Sequence, residues 1–454
     1  MLDKCAVIPI LACVFATIVG PLIQYASGPG LTLQSIMEPS LSNRIFWPAM
    51  AAISVVLAVR NHSRLGRLTL PPNIICLLAY VAFAGASVLW AFRPELSFTR
   101  FVQQVMILTS IVLPAMLAVR TADIMRGLFL CFALAAILNI FFILDNPPSI
   151  VKMLGGYEGY FMGKNALGGF SAIACVLALH EMHYPGLRRA LGIVVLIIAI
   201  LLLFLSNSKT AFGLALFVPF LARLTLITGK IMRVSPAIVL LSILVCCAVL
   251  SGVSGFNSNR LSYILYGDPT FTGRTIIWDF ANYEIARRPL LGWGYQSFWL
   301  VGPDAPSIVD APGWVKAMPE AHNGYYDTML EMGYVGFALL VIFIITTLHA
   351  IGRVADRDPA RARLVLSLAL LIILYNFLES TWMRGAEIMW VVFAIVAAEI
   401  GRYWQPFPLT RAAYGSTTPR PANPYMRSSA QEGPDERLGY RIGVCVANPA
   451  EKIR

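Results

Sequence analysis

Charged residues are scarce in this sequence. Asp, Glu, Lys and Arg make up 13% of its 454 residues, whereas soluble globular domains carry about 25%. Hydrophobic residues make up 58% of the chain, and the mean hydropathy is +0.70. This composition excludes an ordinary soluble protein and indicates a chain that is solvated mostly by lipid.

The formal net charge of +11 would point to nucleic acid if the protein were soluble. Here the lysines and arginines lie mostly in short loops between apolar runs, where they set membrane topology. No nucleic-acid partner is therefore predicted.

The sequence also lacks the cysteine pattern of a disulfide-bonded protein. None of its eight cysteines lies in the long polar segment 256–332; seven lie within or at the edge of apolar runs, and the eighth is Cys445. Disulfides need cysteines in an oxidising compartment, so these residues are interpreted as small helix-packing residues. The first apolar run, 5–26, exceeds the roughly 7–15 residues of a signal-peptide core and is interpreted as an uncleaved anchor.

Apolar runs recur at the length that crosses a membrane. A bilayer core of about 30 Å needs about 20 apolar residues in a helix, which predicts an all-α integral membrane protein of about 12 transmembrane helices. The predicted helices are 5–26, 44–59, 73–92, 102–119, 127–144, 166–180, 190–205, 211–228, 234–255, 333–351, 364–379 and 386–402. Only residues 206–210 separate the seventh from the eighth, which leaves a single re-entrant pair as an alternative.

The distribution of Lys and Arg sets the orientation. With the N-terminus inside, the short inside loops hold thirteen of these residues and the short outside loops hold seven. Four parts are predicted: nine helices in 1–255, one large outside loop in 256–332, three helices in 333–404, and a disordered cytoplasmic tail in 405–454.

The large loop is predicted to carry an amphipathic helix at 275–288. Ile276, Ile277, Phe280 and Ile285 form its apolar side, and a helix of this kind can lie on the membrane surface.

The outer face collects an unusual set of cations. Some of them must face lipid headgroups, but Lys209 and Arg274 are harder to assign to that role. Lys209 lies in a polar segment between two apolar runs, and polar residues at membrane depth are costly and usually functional. Arg274 precedes the amphipathic helix, whose N-terminus adds positive potential that favours a diphosphate. The full set is Lys164, Lys209, Arg274, Arg287, Arg288, Arg384 and His322.

His322 is the only histidine that the predicted topology places on the outer face. It follows Pro319-Glu320-Ala321 and precedes a helix that enters the membrane. Its unperturbed pKa of about 6.5 suits a general base, although a lone histidine is more often structural. Its position alone leaves both roles open.

Two other patterns resemble metal sites. His180-Glu181-Met182-His183 has two histidines at i and i+3 but no evident third ligand. Asp356-Arg357-Asp358 lies in an inside loop rich in arginine and is interpreted as solvated charge. Neither a metal nor another cofactor is predicted.

Several motifs, in order along the chain, resemble one family. His322-Asn323, followed after nine residues by Gly333-Tyr334-Val335-Gly336, resembles the H-N-x9-G-x-x-G signature of O-antigen ligases and related Wzy-type polymerases. Gly273-Arg274-Thr275-Ile276-Ile277-Trp278 and Arg288-Pro289-Leu290-Leu291-Gly292-Trp293-Gly294 resemble the block that opens this family's periplasmic loop. Gly163-Lys164-Asn165 and residues 206–210 match two further positions, so the resemblance covers roughly residues 90–400.

The resemblance implies a membrane glycosyltransferase with a C-type helical fold, in a bacterial inner membrane and with a periplasmic active face. Such enzymes take a glycan from undecaprenyl diphosphate and pass it to lipid A core, as ligases, or to another lipid-linked repeat unit, as polymerases. The reaction is expected to invert configuration and to need no metal, because a diphosphate held by cations can leave without one. A chain-length regulator and export proteins would be further partners.

On this resemblance, Arg274 matches the arginine that holds the diphosphate, and His322 matches the base for the acceptor hydroxyl. Lys209 stands where many members carry Arg, so the charge is kept but the bidentate fork is lost. This departure resembles exopolysaccharide polymerases of the ExoQ type more than ligases. Asn323 would orient the histidine or a sugar. The remaining predicted substrate-binding residues are Lys164, Arg288 and Arg384.

A polymerase of exopolysaccharide or O-antigen is therefore the leading hypothesis, and an O-antigen ligase is the second. A flippase for lipid-linked oligosaccharides, or another transporter, is an alternative of a different class. Transporter folds usually show repeats and broken helices at the midplane, whereas this sequence shows no internal repeat and places its longest polar segment outside. A non-catalytic assembly subunit is the remaining alternative.

Overall fold

The computed structural model describes residues 3–27, 40–145, 147, 149, 155–161, 163–254, 260, 262–264 and 267–406. The predicted tail, 405–454, lies outside the described residues from 407 onward. The beginning of the predicted loop, 256–259, also lies outside them.

Each of the twelve predicted apolar runs contains a helix, and the bounds agree to within a few residues except at 102–119, 127–144 and 333–351, where the helices are longer. Within the described residues, nine long helices precede the large loop: α1 (Lys4–Ala26), α2 (Leu41–Arg60), α3 (Pro72–Trp90), α4 (Pro94–Leu117), α5 (Thr121–Asp145), α6 (Lys164–Glu181), α7 (Leu187–Ser206), α8 (Lys209–Met232) and α9 (Pro236–Ser254). The loop contains α10 (Arg274–Arg287), a short helix at Pro306–Val309 and a 3-10 turn at Gly313–Ala317. After it come α11 (Gly324–Arg357), α12 (Pro359–Tyr375) and α13 (Ile388–Gly401).

Among the described residues, nine helices are long and apolar enough to cross a membrane: α1 to α5, α7 to α9, and α11. The other three, α6, α12 and α13, have 18, 17 and 14 residues. At 1.5 Å per residue α13 is about 21 Å long, shorter than the roughly 30 Å of a bilayer core. The all-helical, multi-pass membrane architecture is confirmed, and the count of twelve spans stays a prediction.

The short helices α12 and α13 lie in the interior of the bundle. Every residue of α13 is buried, as expected for a helix that is apolar on all sides. Between them, residues 376–387 are not helical. Irregular backbone is tolerated at membrane depth where protein surrounds it. The segment 376–387 is therefore a non-helical connection whose backbone depends on contacts with other parts of the protein.

Residues 206–210 separate two full-length helices rather than forming the middle of one re-entrant pair. Asn207 has a left-handed backbone with φ of 48°, which ends α7 and redirects the chain into α8. The two helices then find different neighbours, because α7 packs along α6 and α8 packs along α12.

Four helix ends meet at one face of the bundle, which we call the loop face. The hydroxyl of Tyr375, at the end of α12, donates to the carbonyl of Asn165, at the start of α6, at 2.7 Å. The backbone N–H of Gly324, which opens α11, donates to the Asn376 carbonyl at 2.9 Å. The starts of α6 and α8 also adjoin there. The other ends of these helices define the opposite face.

The large loop has a hydrophobic core of its own. Ile277, Phe280 and Ile285 of α10 are buried in it, together with Trp293 and Trp299. The prediction that this apolar side lies on the membrane is therefore wrong: aromatic residues later in the loop cover it instead. Only Ile276 of the predicted side is exposed, at 42%.

Candidate active site

The segment that follows α12 forms a compact turn at the loop face. Asn376 Nδ2 donates to Thr381 Oγ1 at 2.6 Å, and the Thr381 N–H donates back to Asn376 Oδ1 at 2.9 Å. The N–H of Gly324 donates to the carbonyl of Glu379, at 3.0 Å, as well as to that of Asn376. The turn is thus fixed on the start of α11, and it presents the Glu379 side chain to the loop.

Two residues of the large loop, Arg274 and His322, meet at Glu379. Its Oε1 accepts hydrogen bonds from Arg274 Nη2 and from Asn165 Nδ2, each at 2.6 Å. Its Oε2 lies 3.4 Å from Nδ1 of His322, and Glu320 Oε1 lies 3.1 Å from the same nitrogen. We call these five residues the Glu379 cluster. It brings together the two residues, Arg274 and His322, that the sequence analysis placed in one catalytic site.

Arg274 is held at the N-terminus of α10. Gly273 is the N-cap and has φ of 88°, a conformation that favours glycine. The guanidinium also donates through Nη1 to the carbonyl of Leu378, and the side chain is only 14% exposed. The Leu378 carbonyl and the Glu379 carboxylate therefore fix the orientation of the Arg274 guanidinium. The dipole of α10 adds to the positive potential there.

His322 is held as a cation between two carboxylates. Burial lowers the pKa of His322, but the nearby carboxylates of Glu320 and Glu379 outweigh burial and raise it from 6.5 to about 10. In this arrangement the imidazole is protonated at neutral pH. A general base must be neutral before it accepts a proton, so the predicted role of His322 depends on pH.

Glu320, His322 and Glu379 are also the residues that could hold a metal ion, since their ligand atoms lie within 4.8 Å of one another. However, the Glu379 carboxylate already binds the Arg274 guanidinium at 2.6 Å. A divalent cation on the same carboxylate would face that positive charge at close range, which is unfavourable. The cluster fits an imidazolium between carboxylates better than it fits a metal.

Lys164 and Lys209 open two neighbouring helices beside the cluster. Lys164 is the first residue of α6 and directly precedes Asn165, which contacts Glu379. Lys209 is the first residue of α8. The starts of α6 and α8 are so close that a Cβ on Gly168 would overlap Ser208. Both lysines are exposed, and with two helix N-termini they make the surroundings of the cluster positive.

Asn323 is the N-cap of α11. Its Oδ1 accepts from the N–H groups of Tyr325 and Tyr326 at 3.0 and 3.2 Å, and its Nδ2 donates to the carbonyl of Phe377 at 3.0 Å. The protein therefore uses both ends of the amide, which does not support the predicted contact with a sugar. Asn323 instead fixes the backbone next to His322.

Arg384 forms ion pairs with two carboxylates of α11. Its Nη2 lies 2.8 Å from Asp327 Oδ2 and 3.3 Å from Glu331 Oε1. Asp327 also accepts from the indole N–H of Trp299 at 2.6 Å. These contacts tie the turn after α12 to α11 and to the loop. Diphosphate binding by Arg384 stays a prediction.

Arg288 is not brought into the cluster. It follows the last residue of α10 and stacks on the ring of Trp293, with its guanidinium carbon 4.1 Å from the ring centroid. Because α10 has 14 residues, Arg288 lies about 20 Å along the helix from Arg274. One diphosphate cannot contact both arginines.

Two of the motifs that carry the family resemblance pack directly on each other. The N–H groups of Trp293 and Gly294 donate to carbonyls in the first part of α11, each at 2.8 Å, and the N–H of Tyr334 donates to the Pro289 carbonyl at 2.7 Å. Here α11 is kinked at Gly333, with φ of 63° and ψ of −168°. The glycines of these motifs therefore serve close backbone packing that fixes the loop on the bundle.

Replacement of Gly333 by Ala is expected to destabilise the protein strongly. A Cβ there would overlap the backbone of Leu290, and the positive φ alone costs about 1–3 kcal/mol in a residue other than glycine. The thermal unfolding temperature of the purified protein should fall by several degrees or the inserted amount should drop. Gly213→Ala is the control, because no atom lies near the added Cβ in helix α8. Equal stability of both variants would contradict this packing.

Glu379, Glu320 and Asn165 are cluster members that the sequence analysis did not propose. Glu379 is an acidic residue at the end of the predicted apolar run 364–379, and charge at membrane depth is a signal of function. Asn165 and Glu320 are sequence neighbours of residues that were proposed. Their roles depend on contacts between distant segments, which the sequence does not display.

Comparison with known proteins supports the resemblance drawn from the motifs. Residues 194–341 match the sequence profile of the family described as "O-Antigen ligase". The matched part includes Lys209, Arg274 and His322, and it ends before Glu379.

Two relatives share part of the sequence. The "Exopolysaccharide production protein ExoQ" of Rhizobium meliloti (strain 1021) is 26% identical over 307 residues, which cover 63% of this chain and 68% of that protein. A "Putative polysaccharide ligase" of Rickettsia bellii (strain RML369-C) is 26% identical over 129 residues, which cover 27% of this chain and 31% of that protein. Residues 194–341 of this chain are thus similar to the O-antigen ligase family.

Proposed function

We propose that this protein is a membrane glycosyltransferase that polymerises oligosaccharide repeat units carried on undecaprenyl diphosphate, at the periplasmic face of a bacterial inner membrane. The product is exopolysaccharide or O-antigen. The observation that carries the proposal is the meeting of Arg274 and His322 on the single carboxylate of Glu379. It puts a cation suited to diphosphate next to a group suited to proton transfer.

The donor diphosphate takes the place of Glu379 as the anion on Arg274. A guanidinium can hold two oxygens of such a group with two parallel hydrogen bonds. Lys164 and Lys209 add charge from the starts of α6 and α8. These cations stabilise the negative charge that develops on the leaving diphosphate, so the proposed reaction needs no metal ion.

In the transfer step, a hydroxyl oxygen of the acceptor forms a bond to the anomeric carbon of the donor glycan. The bond between that carbon and the diphosphate oxygen breaks, and undecaprenyl diphosphate leaves with the bonding electrons. The hydroxyl proton passes to the neutral imidazole of His322, and Glu320 and Glu379 stabilise the resulting imidazolium. Attack opposite the leaving group inverts the anomeric configuration.

The acceptor in this proposal is the end of another lipid-linked glycan. Support comes from the longer match, which spans 307 residues and 68% of an exopolysaccharide production protein. A second candidate is ligation of the finished glycan to lipid A core. It is favoured by the description of the family profile, and by a relative named as a ligase over 129 residues.

Deletion of this protein from its host is expected to leave single repeat units exported but no long polymer. The polymerase would join units after export, so its loss should stop elongation and leave transport intact. Gel electrophoresis of cell-surface and lipid-linked glycans, with complementation by the wild-type sequence, is the measurement. Long lipid-linked polymer beside bare lipid A core would instead identify the ligase. Repeat units trapped on the cytoplasmic leaflet would contradict both activities and indicate a transporter.

A further inference from the structure

A positively charged cavity lies on the opposite face of the bundle. It has a volume of about 1190 Å³, and it is lined by α6, α8, α9, α11 and α12. The cavity lies towards the C-terminal part of α8, whereas Lys209 opens that helix at the loop face. Since α8 has 24 residues, its ends are about 36 Å apart. The cavity is therefore separate from the Glu379 cluster.

Four permanent cations line this cavity: Arg223, Lys230, Arg233 and Arg363. Asp356 is the one carboxylate residue among the lining residues. Within the part of the chain that the structure describes, none of the four cations forms a hydrogen bond or an ion pair, in contrast to Arg188, which binds Glu181 at 2.7 Å nearby. The cavity thus concentrates positive charge that the protein itself does not neutralise.

Arg223 lies deep within α8. It precedes the last helical residue, Met232, by nine positions, which places it about 14 Å from the end of the helix. An arginine at this depth is costly in lipid, and such residues usually face a cavity and an anionic partner. A partner whose negative charge reaches from the membrane surface towards Arg223 would fit this position.

The wall of the cavity is apolar beside these cations. Leu179 of α6, Leu226 and Ile227 of α8, and Leu364 of α12 all line it. A small soluble anion would bury none of this surface. A molecule with a phosphate next to hydrocarbon would satisfy both the charged and the apolar parts.

We propose that this cavity binds an anionic phospholipid of the leaflet opposite the loop face, with its phosphate held by the four cations and its acyl chains against the leucine-rich wall. Basic pockets between transmembrane helices hold anionic headgroups in this way. The site is independent of the glycosyltransferase activity, and it would anchor the ends of α6, α8 and α12 whose other ends lie at or beside the Glu379 cluster.

The test is lipid binding to the full-length protein in an uncharged detergent. Phosphatidylglycerol and phosphatidylcholine are titrated separately, and bound lipid is counted by native mass spectrometry. Wild-type protein should prefer phosphatidylglycerol by at least about 10-fold, and Lys230→Gln/Arg363→Gln should weaken its binding about 30-fold, since each cation near an anionic headgroup contributes about 5-fold. Arg223→Gln, a single replacement, should weaken it about 5-fold.

Arg60→Gln/Arg67→Gln is the matched control, because it removes two exposed charges at and after the end of α2, outside the cavity lining. Its affinity for phosphatidylglycerol should stay within about 2-fold of wild type, below the effect of one headgroup contact. An equal loss in both double variants would overturn the proposal, because the lipid would then follow net charge alone. Displacement of phosphatidylglycerol by an equal concentration of glycerol phosphate would also overturn it, since the site would then bind free phosphate.

Discussion

Arg274→Ala protein, inserted at the wild-type level, is expected to make polymer about 100- to 1,000-fold more slowly than the wild type, as expected when a main electrostatic contact to a leaving group is lost. Arg274 is the arginine of the Glu379 cluster. Its guanidinium is held at the loop face by hydrogen bonds to the Glu379 carboxylate and the Leu378 carbonyl. Arg274→Lys should recover part of the rate, because charge is kept while the bidentate fork is lost. Polymer length and amount, measured against inserted protein, provide the readout.

Arg288→Ala is the matched control for this prediction. The two arginines flank the same helix and belong to neighbouring sequence motifs, but Arg288 stacks on Trp293 far from the cluster. Its loss should change the rate by less than about 5-fold, since exposed cation–π contacts contribute about 0.5–1 kcal/mol. A large loss with Arg288→Ala and a small one with Arg274→Ala would reverse the assignment of the diphosphate site.

His322→Gln is expected to lower the rate by about 100- to 10,000-fold, the usual contribution of a general base.

The pH dependence of the wild-type rate should report the titration of the His322 imidazole. Because the pKa of His322 is raised to about 10 and the neutral form is the active one, the rate should rise with pH from 7 towards 10. The initial rate of glycan transfer by purified protein, measured across this range, checks the prediction.

Glu379→Gln distinguishes a role of His322 as general base from a purely electrostatic role. The variant removes one of the two carboxylates that raise the pKa of His322, so the rising limb of the pH profile should move to lower pH. The maximal rate should fall as well, because the neutral amide holds both Arg274 and the imidazolium less strongly. A wild-type rate that is flat or falling between pH 7 and 9 would contradict the base role and favour His322 as a fixed cation.

The helices could be predicted from the sequence because the length of an apolar run is a local property. The runs at 5–26 and 190–205 correspond closely to α1 and α7. The surface that covers the apolar side of α10 could not be predicted in this way. The sequence pattern of that side is the same whether it contacts lipid or Trp293 and Phe298. Only the fold of the following residues decides between the two.

The candidate site, like the fold, could be predicted only where local sequence determines it. Arg274 and His322 could be proposed from motifs, but the carboxylate that joins them comes from Glu379, which is 105 positions from Arg274. The prediction for Arg384 rested on charge alone. The structure adds what charge alone does not show, namely that Arg384 pairs with Asp327 and Glu331. Sequence identifies which cations are present, whereas tertiary contacts determine which of them remain for a substrate.

The most direct measurement follows transfer by the purified protein in liposomes. Lipid-linked repeat units from a strain that lacks this protein serve as both donor and acceptor, and glycan length and released undecaprenyl diphosphate are measured together. The wild type should release one undecaprenyl diphosphate for each unit added, while Arg274→Ala and His322→Gln should do both at least about 100-fold more slowly. Elongation at the wild-type rate by both variants, or elongation without release of undecaprenyl diphosphate, would contradict the proposed role of the Glu379 cluster.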